Sequence, residues 1–107
     1  MSWLEEIRKC FEANAVWYSR HARVEMINEE FGRIHDEEVY QAISVGEIIE
    51  EYLNDSPYPS VLIFGRTKTD RPLHILCAYN KYEDLAVIVT VYQPDPVLWI
   101  DFKRRKT

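Results

Sequence analysis

The sequence predicts a single α+β domain, an antiparallel four-stranded meander with helices packed on one of its faces. Three observations carry the prediction. Residues 47–93 hold four short runs rich in Ile, Val, Leu, Tyr and Phe, separated by loops of turn residues. Residues 2–44 hold three stretches whose apolar positions recur at helical spacing. One alternate set of strand positions, Val61, Ile63, Gly65, Leu73, Ile75, Cys77, Val87, Val89 and Val91, carries no charge, which marks it as the face that helices cover.

The elements follow in order. Trp3, Leu4, Ile7, Cys10 and Phe11 fall on one stripe with Glu and Lys between them, so residues 2–12 form a short amphipathic helix. Ala15–Tyr18 reads as a brief strand. Ser19 is a good N-cap for a helix from Arg20 to Phe31, buried through Ala22, Met26, Ile27 and Phe31, and Gly32 ends it. Asp36 caps a helix over Glu37–Ser44, buried through Val39, Ala42 and Ile43, with Gly46 as its stop. The strands are Glu47–Asn54, Ser60–Arg66, Pro72–Tyr79 and Leu85–Tyr92. Between the first two, Asp55–Pro59 is stiff, because each Pro fixes its own φ and biases the residue before it toward extended backbone. That loop holds Tyr58 outward. Gln93–Pro96 breaks the last strand, and Val97–Thr107 carries Trp99, Ile100 and Phe102 before Lys103–Lys106, an ordered segment followed by a frayed tail.

A hairpin closed by Thr67–Arg71 sets Arg66 opposite Pro72, Phe64 opposite His74 and Leu62 opposite Leu76. The next hairpin, around Asn80–Asp84, sets Pro72 opposite Tyr92 and His74 opposite Thr90. The second sheet face then carries Leu62, Phe64, Leu76 and Ile88 toward one end and Arg66, His74, Thr90 and Tyr92 toward the other. A cation, an imidazole, a hydroxyl and a phenol converge there.

At 107 residues the chain holds one domain, 1–107, and no second core. Its 47% apolar and 29% charged residues favour an ordered globular fold over disorder. The start has early acidic residues and no long apolar run, so it does not read as a signal peptide. Nor is any stretch long enough to span a bilayer, so the expected location is the cytoplasm, with no membrane partner. Cys10 and Cys77 lie far apart in apolar contexts and are expected as buried reduced thiols. His21, His35 and His74 share no metal-type spacing, so neither a metal nor another cofactor is expected. A net charge of −5 counts against nonspecific nucleic-acid binding, yet the charge is uneven. Acid collects in Glu29–Glu30, Asp36–Glu38 and Glu47–Asp55, and base in Arg66, Lys68, Arg71 and Lys103–Lys106. Such a surface suits RNA at one end and a basic partner at the other, or is only solvated.

Five motifs in order, Tyr18-Ser19-Arg20-His21-Ala22-Arg23, Gly46-Glu47-Ile48-Ile49-Glu50-Glu51-Tyr52, Pro57-Tyr58-Pro59-Ser60, Arg71-Pro72-Leu73-His74 and Thr90-Val91-Tyr92-Gln93-Pro94-Asp95, resemble the bacterial domain-of-unknown-function 4258 family over residues 16–105. The resemblance implies a fold similar to the RelE/ParE toxin superfamily, with a RelE-like body over 15–93 between the N-terminal helix 2–12 and a C-terminal segment 94–107. It further implies the toxin of a bacterial toxin–antitoxin module, accompanied by a small antitoxin-like protein of the zinc-finger type that partners MqsR-type toxins. Places where the family commonly carries Arg hold Glu25 and Glu29–Glu30 here, which counts against phosphate binding by that helix.

A RelE-like RNA endonuclease works without a metal: a base takes the 2′-hydroxyl proton, cations stabilise the crowded phosphate, and an acid protonates the leaving 5′ oxygen. Arg66, His74 and Tyr92 are the candidate catalytic residues. His74 serves as base or acid, Arg66 clamps the phosphate, and Tyr92 donates a proton or stacks on a base. Substrate contacts fall to Arg20 and His21 at an exposed helix N-terminus, Tyr58 and Tyr52 as stacking rings, and Arg71 and Thr90 beside them, with RNA alone or on the ribosome as the target. Each also has a plain structural reading, such as a hydrogen-bonded sheet histidine for His74. The other function that fits is a non-catalytic protein-binding module of the same fold, which the acidic balance favours.

Overall fold

The computed structural model describes residues 2–106, so the ends of the expected 1–107 domain, Met1 and Thr107, lie outside the described residues. Ser2 Oγ accepts from the Glu5 N–H at 3.1 Å and starts α1 (Trp3–Glu12), which buries Ile7 and Cys10. After β1 (Val16–Tyr18), Ser19 Oγ accepts from the Ala22 N–H at 3.0 Å and starts α2 (Arg20–Asn28). This helix stops short of the expected Phe31. The Ile34 N–H folds back onto the Met26 carbonyl at 2.9 Å, so Ile34 takes the buried place expected for Ile27 and Phe31, and both of those are exposed. His35, not Asp36, occupies the N-cap position of α3 (Asp36–Val45), its N–H donating to the Glu38 carboxylate at 3.0 Å. Asp36 pairs with Arg23 instead.

The sheet has five strands rather than four. β2 (Glu47–Tyr52), β3 (Ser60–Arg66), β4 (Pro72–Asn80) and β5 (Leu85–Tyr92) are joined by β1, in the order β1-β5-β4-β3-β2. β1 lies parallel to β5, with Val16 opposite Ala86 and Tyr18 opposite Ile88, whereas the other pairs are antiparallel. The β3–β4 register is the expected one, with Phe64 opposite His74. The β4–β5 register is not: His74 lies opposite Tyr92, Leu76 opposite Thr90, and Val89 is then skipped so that Ile88 faces Cys77. One extra residue reverses which side chains point inward beyond it. Ile88, expected on the open face, is therefore buried with Ala86 and Val91, while Val87 and Val89, expected in the core, are only half-buried.

Residues from all three helices meet Val61, Ile63, Leu73, Ile75 and Cys77 in one cluster, with Cys10 and Cys77 as free buried thiols. α3 sits so close to β3 that a Cβ on Gly65 would lie 2.0 Å from the Ala42 carbonyl oxygen. The opposite face is not left open. Beyond Pro94 the chain forms a hairpin, β6 (Trp99–Ile100) against β7 (Arg104–Arg105), which lies over the His74 end of the sheet. The tail expected to fray is clamped to β2 by Lys103–Glu47 at 2.8 Å and Arg105–Glu50 at 3.0 Å. Among the described residues no helix is long and apolar enough to cross a membrane.

Candidate functional site

Under that hairpin His74 is fully buried. Its Nε2 lies 2.5 Å from the Phe102 carbonyl, which can only accept, so Nε2 carries the hydrogen and Nδ1 is left as an acceptor. The Tyr92 hydroxyl, 3.0 Å away, donates to Nδ1. Trp99, Tyr92 and Phe64 stand edge-on to the imidazole, with ring centres at 4.4, 5.2 and 5.9 Å. Burial pushes the imidazole below its ordinary pKa, against the opposing Phe102 hydrogen bond, and keeps it neutral. Tyr92 links His74 to the surface beside the hairpin.

Tyr92 opens onto a groove of about 350 Å³ beside the hairpin. Leu62 and Leu76 give it an apolar surface; Tyr52, Thr90, Asp55 and Arg105 complete its lining. Next to it the Glu50 carboxylate accepts from Arg105 at 3.0 and 3.2 Å and from the Tyr52 hydroxyl. Burial alone would raise Glu50, but the Arg105 and Tyr52 bonds outweigh it and hold the carboxyl below its ordinary range. The same bonds push the Arg105 guanidinium up. Burial, with Arg105 opposing and Glu50 assisting, pushes Tyr92 up to about 12, so the phenol keeps its proton. A carboxylate, a guanidinium and a protonated phenol backed by an imidazole thus share one small volume.

The structure brings together only some of the residues singled out in the sequence. Tyr92 and Thr90 line the groove and His74 stands behind it. Arg66 lies on the far side of Phe102: its guanidinium sits 5.4 Å from that ring and 5.7 Å from Phe64, and pairs with Asp70 at 3.5 Å. There it lines a separate groove of about 500 Å³ with Tyr40 and Lys68. Arg71 is held internally, donating to Gln93 at 2.7 Å, Glu38 at 3.2 Å, the Arg33 carbonyl at 3.0 Å and the Gly32 carbonyl, so it pins the α2–α3 loop. Arg20 and His21 are exposed at the start of α2, a helix that packs on the other side of the sheet, and His21 lies 3.4 Å from Glu25. Tyr58 is half-buried in the loop before Ser60, the end of β3 remote from Arg66.

Glu25 and Glu29, unexpected in place of Arg, have a structural task. They accept the Val91 N–H at 3.1 Å and the Gln93 N–H at 2.6 Å along the stretch of β5 that β1 does not reach. Sequence reasoning missed Glu50 and Arg105. The available signal was the interleaving of Trp99 and Phe102 with Lys103 and Arg105, an amphipathic pattern that needs a surface to lie on. Among the described residues no three His, Cys, Asp or Glu side chains are placed to hold a metal ion. A family model described as Domain of unknown function (DUF4258) matches residues 18–93, a span that includes Glu50, Tyr52, His74, Thr90 and Tyr92 but stops before the hairpin. No curated protein and no solved structure matches the chain significantly.

Proposed function

The chain belongs to the DUF4258 family, and from that premise we propose that it is the toxin of a bacterial toxin–antitoxin module, a metal-independent RNA endonuclease of RelE-like fold whose active site is the groove at Tyr92. The observation that supports this best is the hydrogen-bonded line from the groove through Tyr92 to neutral His74, with Arg105 beside it. The Tyr92 oxygen takes the 2′-hydroxyl proton as its own proton passes to His74 Nδ1, so no free phenolate forms. The Phe102 carbonyl and the nearby Glu50 charge stabilise the resulting imidazolium. The 2′ oxygen bonds to phosphorus, the bond to the 5′ oxygen breaks, and solvent protonates the leaving oxygen. Arg105 stabilises the phosphate charge, the role the sequence suggested for Arg66. Arg66 and Lys68 suit a flanking phosphate.

The test is cleavage of RNA, free and on ribosomes, with a chelator present. Tyr92→Phe and His74→Gln are each expected to lower the rate by about 10²–10⁴-fold while leaving the fold intact, and the product carries a 2′,3′-cyclic phosphate. Cleavage that Tyr92→Phe leaves unchanged, or no cleavage at all, defeats the enzyme reading. A non-catalytic protein-binding module is the second reading. It is favoured by Val24, Ile27 and Phe31, which are spaced along the outer side of α2 and its exit and are 49, 55 and 48% exposed. The same surface suits a small antitoxin-like partner, so charged substitutions at Val24 and Ile27 should release a partner captured from the native host.

A further inference from the structure

We propose that the groove is a guanine-reading subsite, so that the preferred substrate is single-stranded RNA with a guanine beside the scissile phosphate. This rests on the reading of the groove as an RNA site. Sequence-specific recognition of single strands needs a flat apolar slot, aromatic faces and a few fixed polar groups. The groove offers Leu62 and Leu76 with Tyr52 and Tyr92, in a volume of about 350 Å³ that admits one nucleotide. Its two charged residues are of opposite sign and separately anchored. Arg105 is held on Glu50, which lies opposite Leu62 on β3. Asp55 is held by the Ser60 hydroxyl at 2.6 Å, two residues along the same strand or roughly 7 Å away.

That polarity selects among bases. A carboxylate only accepts, and guanine alone presents two adjacent N–H donors, N1–H and the 2-amino group, on one edge. Adenine and cytosine place an acceptor beside their amino group, which repels the second carboxylate oxygen, and uracil flanks its N–H with two carbonyls. The Ser60 hydroxyl takes one lone pair of Asp55 Oδ2 and fixes the carboxylate, which keeps an acceptor site on Oδ2 and both on Oδ1 for the base, while Arg105 faces the phosphate.

The experiment measures binding of the 5′-monophosphates of guanosine, inosine, adenosine and uridine to the intact protein by calorimetry. Guanosine monophosphate should bind at least about tenfold tighter than the other three, inosine included because it lacks the 2-amino donor. Asp55→Asn should abolish the preference, and the inosine comparison on the unaltered protein needs no variant. Equal affinity for all four, no binding of any, or a preference that survives Asp55→Asn overturns the proposal. RNA cleavage without guanine preference would defeat the subsite alone, and guanine binding without cleavage would defeat only the nuclease reading.

Discussion

His74 is the residue on which most of the proposed chemistry turns, and its protonation ties the candidate site to the stability of the fold. The imidazole has an ordinary value of 6.5 and is lowered in the fold by burial. The unfolded chain therefore takes up the proton first as pH falls. The stabilisation from neutral His74 is complete above the unfolded value and is lost as pH drops through the lower folded value. Urea midpoints at about pH 7.5 and about pH 5.5 should show a larger acid loss for the parent than for His74→Gln. Identical losses would mean that His74 is not held neutral. At Gly65 the constraint is purely steric: Gly65→Ala places a methyl against the Ala42 carbonyl, and α3 cannot retreat without uncovering Val39 and Ile43. A destabilisation of about 1–3 kcal/mol or more is expected from chemical denaturation.

At the scale of elements, the skipped residue in β5 decides which side chains the core owns. Ile88→Ala should cost about 2–5 kcal/mol, and Val89→Ala about 1 kcal/mol or less. Equal costs would contradict the bulge. Helices, strands and the β3–β4 pairing were legible because each rests on a local signal: the apolar stripe of Trp3, Ile7 and Cys10, Ser19 as a cap, Gly46 as a stop, the apolar run Val61–Phe64 closed by a short turn. The β5 register was not, because Val87, Ile88 and Val89 are alike in apolar character and alternation cannot say which of them faces inward. The parallel pairing of β1 was hidden for a related reason, since Val16–Tyr18 is too short to announce a partner. His74 and Tyr92 could be found as a pair of residue types on one face. That a hairpin covers them, and that Glu50 and Arg105 complete the set, depends on contacts between β2 and a segment more than fifty residues away.

For the whole molecule, charge sets how RNA would bind under the proposed function. The chain carries −5 overall, so a phosphate backbone is repelled except where cations gather, at Arg105 and beyond Phe102 at Arg66 and Lys68. Three phosphate contacts predict a slope of log affinity against log salt of about −2 for a single strand. Filter binding of a short RNA to the Tyr92→Phe protein should give this value. A slope near zero would rule out those contacts. Net charge also bears on assembly, through the flanks of the sheet. Beyond β1 the border of β5 is occupied by Glu25 and Glu29, one helical turn apart and matched to two N–H groups two strand residues apart. α2 thereby does the work of a sixth strand, and β1 itself offers only three residues. The longer open edge of the sheet is that of β2, six residues against the three of β1. Two copies joined along β2 would close about a twofold axis and leave only the three-residue edges of β1 outside, so strand pairing between these domains favours a closed dimer over a growing fibre.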